Sequence, residues 1–274
     1  MHNDRFDSKK AALVGLKPDL KVSLIPSNLA LNCRNLCREY YDLVDNRSAY
    51  INKLQGELRM AFPQYLGIFS KITTNTVLTL LETYTSPSAF LEADKQKIID
   101  SNIKRILDAM HGLVDANEDT NFVKQIHLIE TFKGAGFLSA VSLIGEIGNF
   151  SAFSKPKQLF AYFGLDPAVK QSGKFEGSKV QMSKRGSSIA RRVIHTLTLQ
   201  SISTSRTGES KNPVLRDYYL RKCESKPKLI AMEAVSHKVC NMIFAVLRDN
   251  KPFEIITPQE HIKQHNAAKC EISA

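Results

Sequence analysis

Apolar residues recur at helical spacing along most of the chain after Pro26. Ser27 is a suitable helix N-cap and Pro63 cannot continue a helix, so the pattern between them predicts a helix from Ser27 to Ala61. Its apolar positions are Leu36, Tyr40, Leu43, Val44, Ile51, Leu54, Leu58 and Ala61. The steps of three and four residues in its second half are also typical of a coiled-coil seam. The helix therefore either faces the core of this chain or forms an arm that pairs with another protomer.

Two apolar helical segments, 126–132 and 137–147, flank a turn that contains Lys133, Gly134 and Gly136. Glycines allow a tight turn and let backbone N–H groups approach a ligand. The second segment then presents a helix N-terminus, where unpaired N–H groups and the helix dipole favour phosphate. This order is typical of a helix-hairpin-helix, which binds the nucleic-acid backbone without sequence specificity. An ordinary turn between two helices fits the same residues equally well.

The remaining segments predict a chain that is mostly helical. Further helices begin at Pro87, Gln158, Ser187 and Leu229. The polar stretch 166–186 predicts a loop or hairpin, and the basic stretch after residue 202 predicts a linker. His195 lies in an apolar helix, which indicates a packed core histidine. Because no alternating strand pattern follows Pro26, the predicted fold class is mainly α.

The composition excludes several classes of protein. With 43% hydrophobic and 24% charged residues among 274, the chain resembles an ordinary globular protein of one or two domains rather than a disordered one. No apolar run approaches the roughly 18 residues of a membrane span, so we expect no membrane partner. The five cysteines form no CxxC pair, which favours thiols in a reducing cytosol over disulfides or a zinc site. Cys33 and Cys37 share one helix face, which predicts packing in a core.

The positive charge is concentrated in one part of the chain. The net charge is +11, and residues 155–228 carry sixteen Lys and Arg against five Asp and Glu, so the remaining residues are neutral overall. Such clustering indicates a surface that binds phosphate groups, although a solvated basic surface is the alternative. The candidate nucleic-acid contacts are Lys133, Gly134, Gly136, Lys170, Lys174, Lys184, Arg185, Arg191 and Arg192.

An ordered series of short motifs begins at the glycine turn. It comprises residues 129–136, Ala140, 145–148, Phe153, Leu159, 161–167, Ser172, Gly173, 183–186, Arg191, Arg192, Lys228 and Ala231. This series resembles the DEDD transposases of bacterial insertion sequences, of the IS-one-ten type, a family of bridge-RNA-guided recombinases. The resemblance covers nearly the whole chain and is most specific between residues 128 and 253.

The resemblance implies an active site in two parts. In this family a RuvC-like N-terminal domain holds four acidic residues around a divalent metal, and a C-terminal domain supplies a serine nucleophile. Asp4 and Asp7 match the final acidic pair, and their spacing places both carboxylates on one helix face, suitable for Mg²⁺. Ser172 matches the nucleophile, although its residue type alone would indicate a turn. The implied partners are DNA, a structured guide RNA and a second copy of the chain, in the bacterial cytoplasm.

The resemblance also divides the chain into parts. Residues 1–26 match the end of the RuvC-like α/β domain, 27–120 a helical, coiled-coil middle, 121–256 the transposase domain, and 257–274 a polar tail. Two of the four acidic residues should precede Met1, so we expect the front of the RuvC-like domain to be missing and metal binding by this chain to be weak or absent. The alternative function is a non-catalytic, nucleic-acid-binding remnant of such a transposase.

Overall fold

The structure, a computed structural model, describes residues 26–61, 74, 79, 87–166, 171–172, 175–176 and 182–263. For residues 61 and 87–97 and for the two strands it describes the backbone alone. The described helices are α1 (Asn28–Ala61), α2 (Pro87–Asp115), α3 (Asn121–Glu130), α4 (Phe137–Ile147), α5 (Pro156–Tyr162), α6 (Ser188–Ile202), α7 (Pro213–Cys223) and α8 (Lys228–Asp249), with a 3₁₀ turn at Phe150–Ala152 and a helical turn over 258–263. Strands β1 (Gln171–Ser172) and β2 (Phe175–Glu176) form one antiparallel pair. The predicted mainly α class is confirmed.

The first long helix follows the predicted boundaries. The Ser27 hydroxyl accepts a hydrogen bond from the Ala30 N–H at 3.2 Å, as an N-cap does, and α1 ends at Ala61. In its second half Leu54 and Leu58 are buried within this one chain, where α1 packs along α2. The core-facing interpretation of the seam therefore accounts for these two residues.

Helix α4 is the most deeply buried part of the described chain. All eight residues from Ala140 to Ile147 are buried, including the polar Ser142 and Glu146. The helix packs against α1, α3 and α6, so from Ala140 onward it is buried on all sides rather than along a single face. The glycine turn and the transposase-like motifs are arranged around this central helix.

Helix α1 crosses the carboxyl end of α4 at very short distance. A Cβ atom on Gly145 would lie 3.2 Å from the backbone nitrogen of Arg34, so glycine lets the two backbones approach. Arg34 Nε then donates to the Gly145 carbonyl at 2.8 Å, and its Nη2 donates to the Glu146 carbonyl at 3.1 Å. A cation here also complements the negative end of the α4 dipole. Gly148 ends the helix with a φ of +71°.

One ion pair fixes the same crossing. Arg38 Nε and Nη2 donate to the two carboxylate oxygens of Glu146 at 2.8 and 3.0 Å. The Glu146 side chain is only 3% exposed, whereas that of Arg38 is 52% exposed. A buried carboxylate is costly unless it is paired and hydrogen-bonded. Arg38 supplies both requirements, and the hydrogen bond raises the pKa of its guanidinium.

The predicted core position of two cysteines is confirmed. Cys33 and Cys37 are fully buried on the side of α1 that faces the core. Burial raises the pKa of Cys33 to about 11 and that of Cys37 to about 12. Because the thiolate is the reactive form of cysteine, both thiols are inert at neutral pH.

Two predictions for the basic half of the chain are wrong. Residues 213–223 form helix α7 rather than a linker, and the Asn212 side chain caps it by accepting from the Leu215 N–H at 3.1 Å. Within α7 only Leu215 is buried, so the segment lacks the apolar stripe by which helices are recognised. His195 is exposed rather than packed in the core.

Helix α8 is long and apolar enough, by length and composition alone, to cross a membrane. In the fold it packs against α3, α5, α6 and α7. Its buried residues include Val235, Val239 and Ile243, spaced by four along one face. Helices that form the core of soluble proteins satisfy the same criterion. Because α8 packs against four other helices through its buried face, it is a core helix of this fold.

We predict that Arg38→Met lowers the free energy of unfolding by about 2–3 kcal/mol, because it leaves the Glu146 carboxylate buried without a partner. Denaturant unfolding followed by circular dichroism measures the change. Arg248→Met is the matched control, since Arg248 pairs with Asp249 at 2.7 Å but both side chains are exposed. The control should change stability by less than about 0.5 kcal/mol. Equal effects of the two substitutions would contradict the assigned role of Arg38.

Candidate nucleic-acid interface

The glycine turn lies between the two helices α3 and α4, in the predicted order of helix, glycine turn and helix. Gly134 has a φ of +102°, and a Cβ atom there would lie 2.9 Å from Cβ of Gln200, so glycine permits both the turn and its packing on α6. Gly136 is the N-cap of α4 and supplies no side-chain acceptor to the first turn. The neighbouring Lys133 is exposed. Uncapped N–H groups and one lysine are therefore adjacent at this turn.

The segment that follows α8 supports this turn from behind. The Phe253 N–H donates to the Thr131 hydroxyl at 2.7 Å. The rings of Phe132 and Phe253 lie 4.5 Å apart between centroids, and Phe132 is fully buried. The segment after α8 thus holds the base of the glycine turn in place.

Helix α6 links the basic residues before it to the glycine turn near its other end. Its exposed positions follow helical spacing, and the helix of 15 residues is about 22 Å long. The exposed positions are Ser188, Arg192, His195, Thr196 and Leu199. At the far end, Lys211 Nζ donates to Gln200, which contacts the glycine turn. Lys184 and Arg185 are exposed just before the helix. We call this set of exposed residues, with Lys133 and Lys211, the α6 basic face.

The predicted nucleophile lies on a short hairpin. Ser172 pairs with Phe175 in the antiparallel register of β1 and β2, which confirms a hairpin in the polar stretch 166–186. Of Ser172 only the backbone is described. The other predicted residues Asp4, Asp7, Lys170 and Lys174 lie outside the described residues.

Hydrogen bonds close the base of this hairpin. Ser183 donates twice to Asp166, from its N–H to the carbonyl at 2.8 Å and from its hydroxyl to the carboxylate at 2.6 Å. Next to this pair, on the side away from Ser172 in sequence, the Lys184 N–H donates to the Gly164 carbonyl at 3.0 Å. These bonds hold together the two ends of the segment between Asp166 and Ser183, and Ser172 lies within that segment.

Two glycines touch beneath that base. A Cβ atom on Gly186 would lie 1.9 Å from the Tyr162 carbonyl oxygen, and one on Gly164 would lie 2.5 Å from the Gly186 nitrogen. Arg191 Nη1 bridges the two chain segments that meet here by donating to the carbonyls of Phe163 at 3.0 Å and Gly186 at 2.7 Å. The Arg191 guanidinium thus has a structural role, because it joins the two chain segments from which the hairpin begins.

Arg192 points away from this junction, into a cleft between α1 and the start of α6. Its Nη1 contacts both carboxylate oxygens of Asp45, at 2.9 and 3.2 Å, and its guanidinium lies 4.8 Å above the Tyr41 ring. The cleft has a volume of about 500 Å³. Its lining residues are Arg38, Tyr41, Asp42, Asp45, Ser187, Ser188, Ile189 and Arg192. Sequence reasoning missed Tyr41 and Asp45, because 147 residues separate Asp45 from Arg192 and no local pattern links them.

The described side chains offer no metal centre. No group of three or more His, Cys, Asp or Glu side chains is placed together among them. The only carboxylates that line the α1–α6 cleft, Asp42 and Asp45, share it with two arginines, a setting that disfavours a cation. The predicted metal ligands Asp4 and Asp7 lie outside the described residues.

We predict that Gly186→Ala destabilises the protein by about 2–4 kcal/mol, because the added methyl group meets the Tyr162 carbonyl oxygen. Gly56→Ala is the matched control, since Gly56 lies inside α1 with nothing within 4 Å of an added Cβ. The control should raise stability by up to about 1 kcal/mol through helix propensity. Thermal unfolding of both variants checks the pair of signs. A Gly186→Ala protein as stable as the wild type would contradict the close approach of Gly186 to the Tyr162 carbonyl oxygen.

The chain is similar to known transposases. Residues 126–220, from helix α3 into helix α7, match a family model described as Transposase IS116/IS110/IS902 family. The chain is also 24% identical over 196 residues to the transposase for insertion sequence element IS1111A of Coxiella burnetii (strain RSA 493 / Nine Mile phase I). That similarity covers 70% of this chain and 52% of the relative, so it spans about half the length of the curated relative. We call residues 126–220, which match this family model, the transposase domain.

Proposed function

We propose that this chain acts as the transposase of an insertion sequence, binding DNA and cutting and rejoining its strands with Ser172 as nucleophile. The observation that carries the proposal is that the transposase domain includes Ser172, on a hairpin whose base is closed by the Asp166–Ser183 hydrogen bonds. A nucleophile needs a fixed approach to its target, and a hairpin with an anchored base can provide one.

The proposed reaction exchanges one phosphate ester for another. The Ser172 hydroxyl loses its proton as its oxygen bonds to the phosphorus of a DNA phosphodiester, and the bond from that phosphorus to the oxygen of one strand end breaks. The displaced oxygen takes up a proton, so the strand end leaves as a hydroxyl group and the phosphate stays on the serine as an ester. Attack by the hydroxyl end of a second strand reverses the step and releases the serine, so the ester bond energy is retained. Lys170, Lys174, Lys184 and Arg185 lie close in sequence to Ser172 and would neutralise charge on the phosphate.

The family generally suggests a divalent metal, and we propose Mg²⁺ held by Asp4 and Asp7. Carboxylate oxygens are the ligands that Mg²⁺ prefers in proteins. When bound, such an ion stabilises charge on a phosphoryl oxygen.

The partners are proposed from charge and packing. The α6 basic face and the glycine turn present cationic groups and free N–H groups, which suit the backbone of DNA and of a structured guide RNA. Self-association through α1 and α2 is a further proposal, to be measured as the molar mass in solution. The proposed site of action is the bacterial cytoplasm, where the element's DNA lies.

We predict that Ser172→Ala abolishes formation of a covalent protein–DNA adduct, because the variant has no hydroxyl to form the phosphoserine ester. The purified chain is incubated with DNA carrying the element's ends and Mg²⁺, and adducts are separated on a denaturing gel. Ser178→Ala, six residues further along the same stretch, is the matched control and should retain the adduct. An adduct that persists in Ser172→Ala would refute the assignment. DNA binding without any adduct in the wild type would favour the non-catalytic remnant.

A further inference from the structure

The cleft between α1 and the start of α6 is lined by charged groups from distant parts of the chain. Helix α1 contributes Arg38, Tyr41, Asp42 and Asp45 to one wall. The transposase domain contributes Arg192 and the hydroxyl-bearing residues before it to the other. Its volume of about 500 Å³ is ample for one nucleotide unit.

The two arginines of the cleft differ in how firmly they are held. Arg38 makes two hydrogen bonds to the buried Glu146 and is part of the fold. Arg192 is held by Asp45 through one nitrogen, Nη1, and the side chains of this pair are 43% and 64% exposed. An ion pair in such an exposed position contributes little to stability. Arg192 can therefore exchange its carboxylate for another anion at small cost.

Hydroxyl groups beside Arg192 suit the same anion. The Ser187 hydroxyl accepts from the Ala190 N–H at 3.1 Å, and its own hydrogen has no acceptor among the described residues. Ser188 lines the cleft next to it and is exposed. Guanidinium and hydroxyl donors together match the oxygens of a phosphate, to which arginine binds through two parallel N–H groups.

We propose that this cleft binds a phosphodiester of the nucleic acid through Arg192, and that Asp45 occupies Arg192 in the free protein as a competing carboxylate. The inference rests on the proposed function, since it takes nucleic acid as the ligand. It places one phosphate contact of the transposase domain at the cleft that this domain forms with the long helix α1. Asp45 then lowers affinity for any ligand whose other phosphate contacts are too few to displace it.

The experiment measures binding of fluorescent, mixed-sequence duplex DNA and of single-stranded RNA of the same sequence to the whole chain over a series of salt concentrations. The variants are Asp45→Asn, Arg192→Gln and the double variant. The matched controls are Asp249→Asn and Arg248→Gln, which make the same charge changes in another exposed Arg–Asp pair. Thermal unfolding verifies that each variant is folded.

Asp45→Asn should tighten binding up to about fivefold more than Asp249→Asn does, because it frees Arg192 and removes a repelling charge. Arg192→Gln should weaken binding about tenfold and reduce the slope of log K against log salt by about one counterion, whereas Arg248→Gln should leave that slope unchanged. When Arg192 is already replaced by Gln, adding Asp45→Asn should increase the affinity only as much as Asp249→Asn does in the wild type. The DNA and RNA arms show which phosphodiester the cleft favours, and either is consistent with the proposal.

An unchanged salt slope in Arg192→Gln overturns the proposed contact. Equal gains from Asp45→Asn and Asp249→Asn overturn the competition by Asp45. In both cases the wild type still binds, so the proposed function stands while the inference fails. A wild-type chain that binds neither probe overturns the proposed function and the inference together.

Discussion

The buried carboxylate of Glu146, paired with Arg38, is the constraint on which the arrangement of the described chain depends. It fixes where α1 crosses α4, and the absence of a side chain on Gly145 lets the helices meet there. Arg34, Arg38, Tyr41 and Asp45 follow one another at steps of four, three and four, so they lie on one stripe of α1. Because Arg34 and Arg38 fix where α1 crosses α4, Tyr41 and Asp45 on the same stripe lie in the cleft that Arg192 enters. A structural ion pair in the core sets the geometry of a candidate site at the surface.

The consecutive arginines of α6 show how one helix serves both structure and surface. Adjacent residues on a helix point about 100° apart. Arg191 turns inward and bonds the carbonyls of Phe163 and Gly186 at the foot of the serine hairpin, whereas Arg192 faces the cleft. The contact of Gly164 with Gly186 and the Asp166–Ser183 bonds complete the same junction. The basic charge of the domain is thus divided between residues that build the hairpin base and residues that remain available to an anion.

Local pattern was enough for the parts of the fold that depend on neighbours in sequence. The Ser27 cap, the end of α1, the start of α2 at Pro87, the two helices around the glycine turn, and the start of α8 to within one residue follow from spacing and end residues. Helix α7 was missed because burying Leu215 alone leaves no apolar stripe, although Asn212 and Pro213 form a recognisable helix start. The structural role of Arg191 and the pairing of Asp45 with Arg192 depend on contacts between distant residues, which periodicity does not encode. His195 was misplaced because an apolar helix still exposes one face.

The central claim is that phosphate contacts made by the transposase domain dominate nucleic-acid binding. The most direct test is the affinity of the unmodified chain for duplex DNA at increasing salt concentration. The account predicts that log K falls linearly with log salt, with a slope of several released counterions. An affinity that stays constant between low and moderate salt would contradict it.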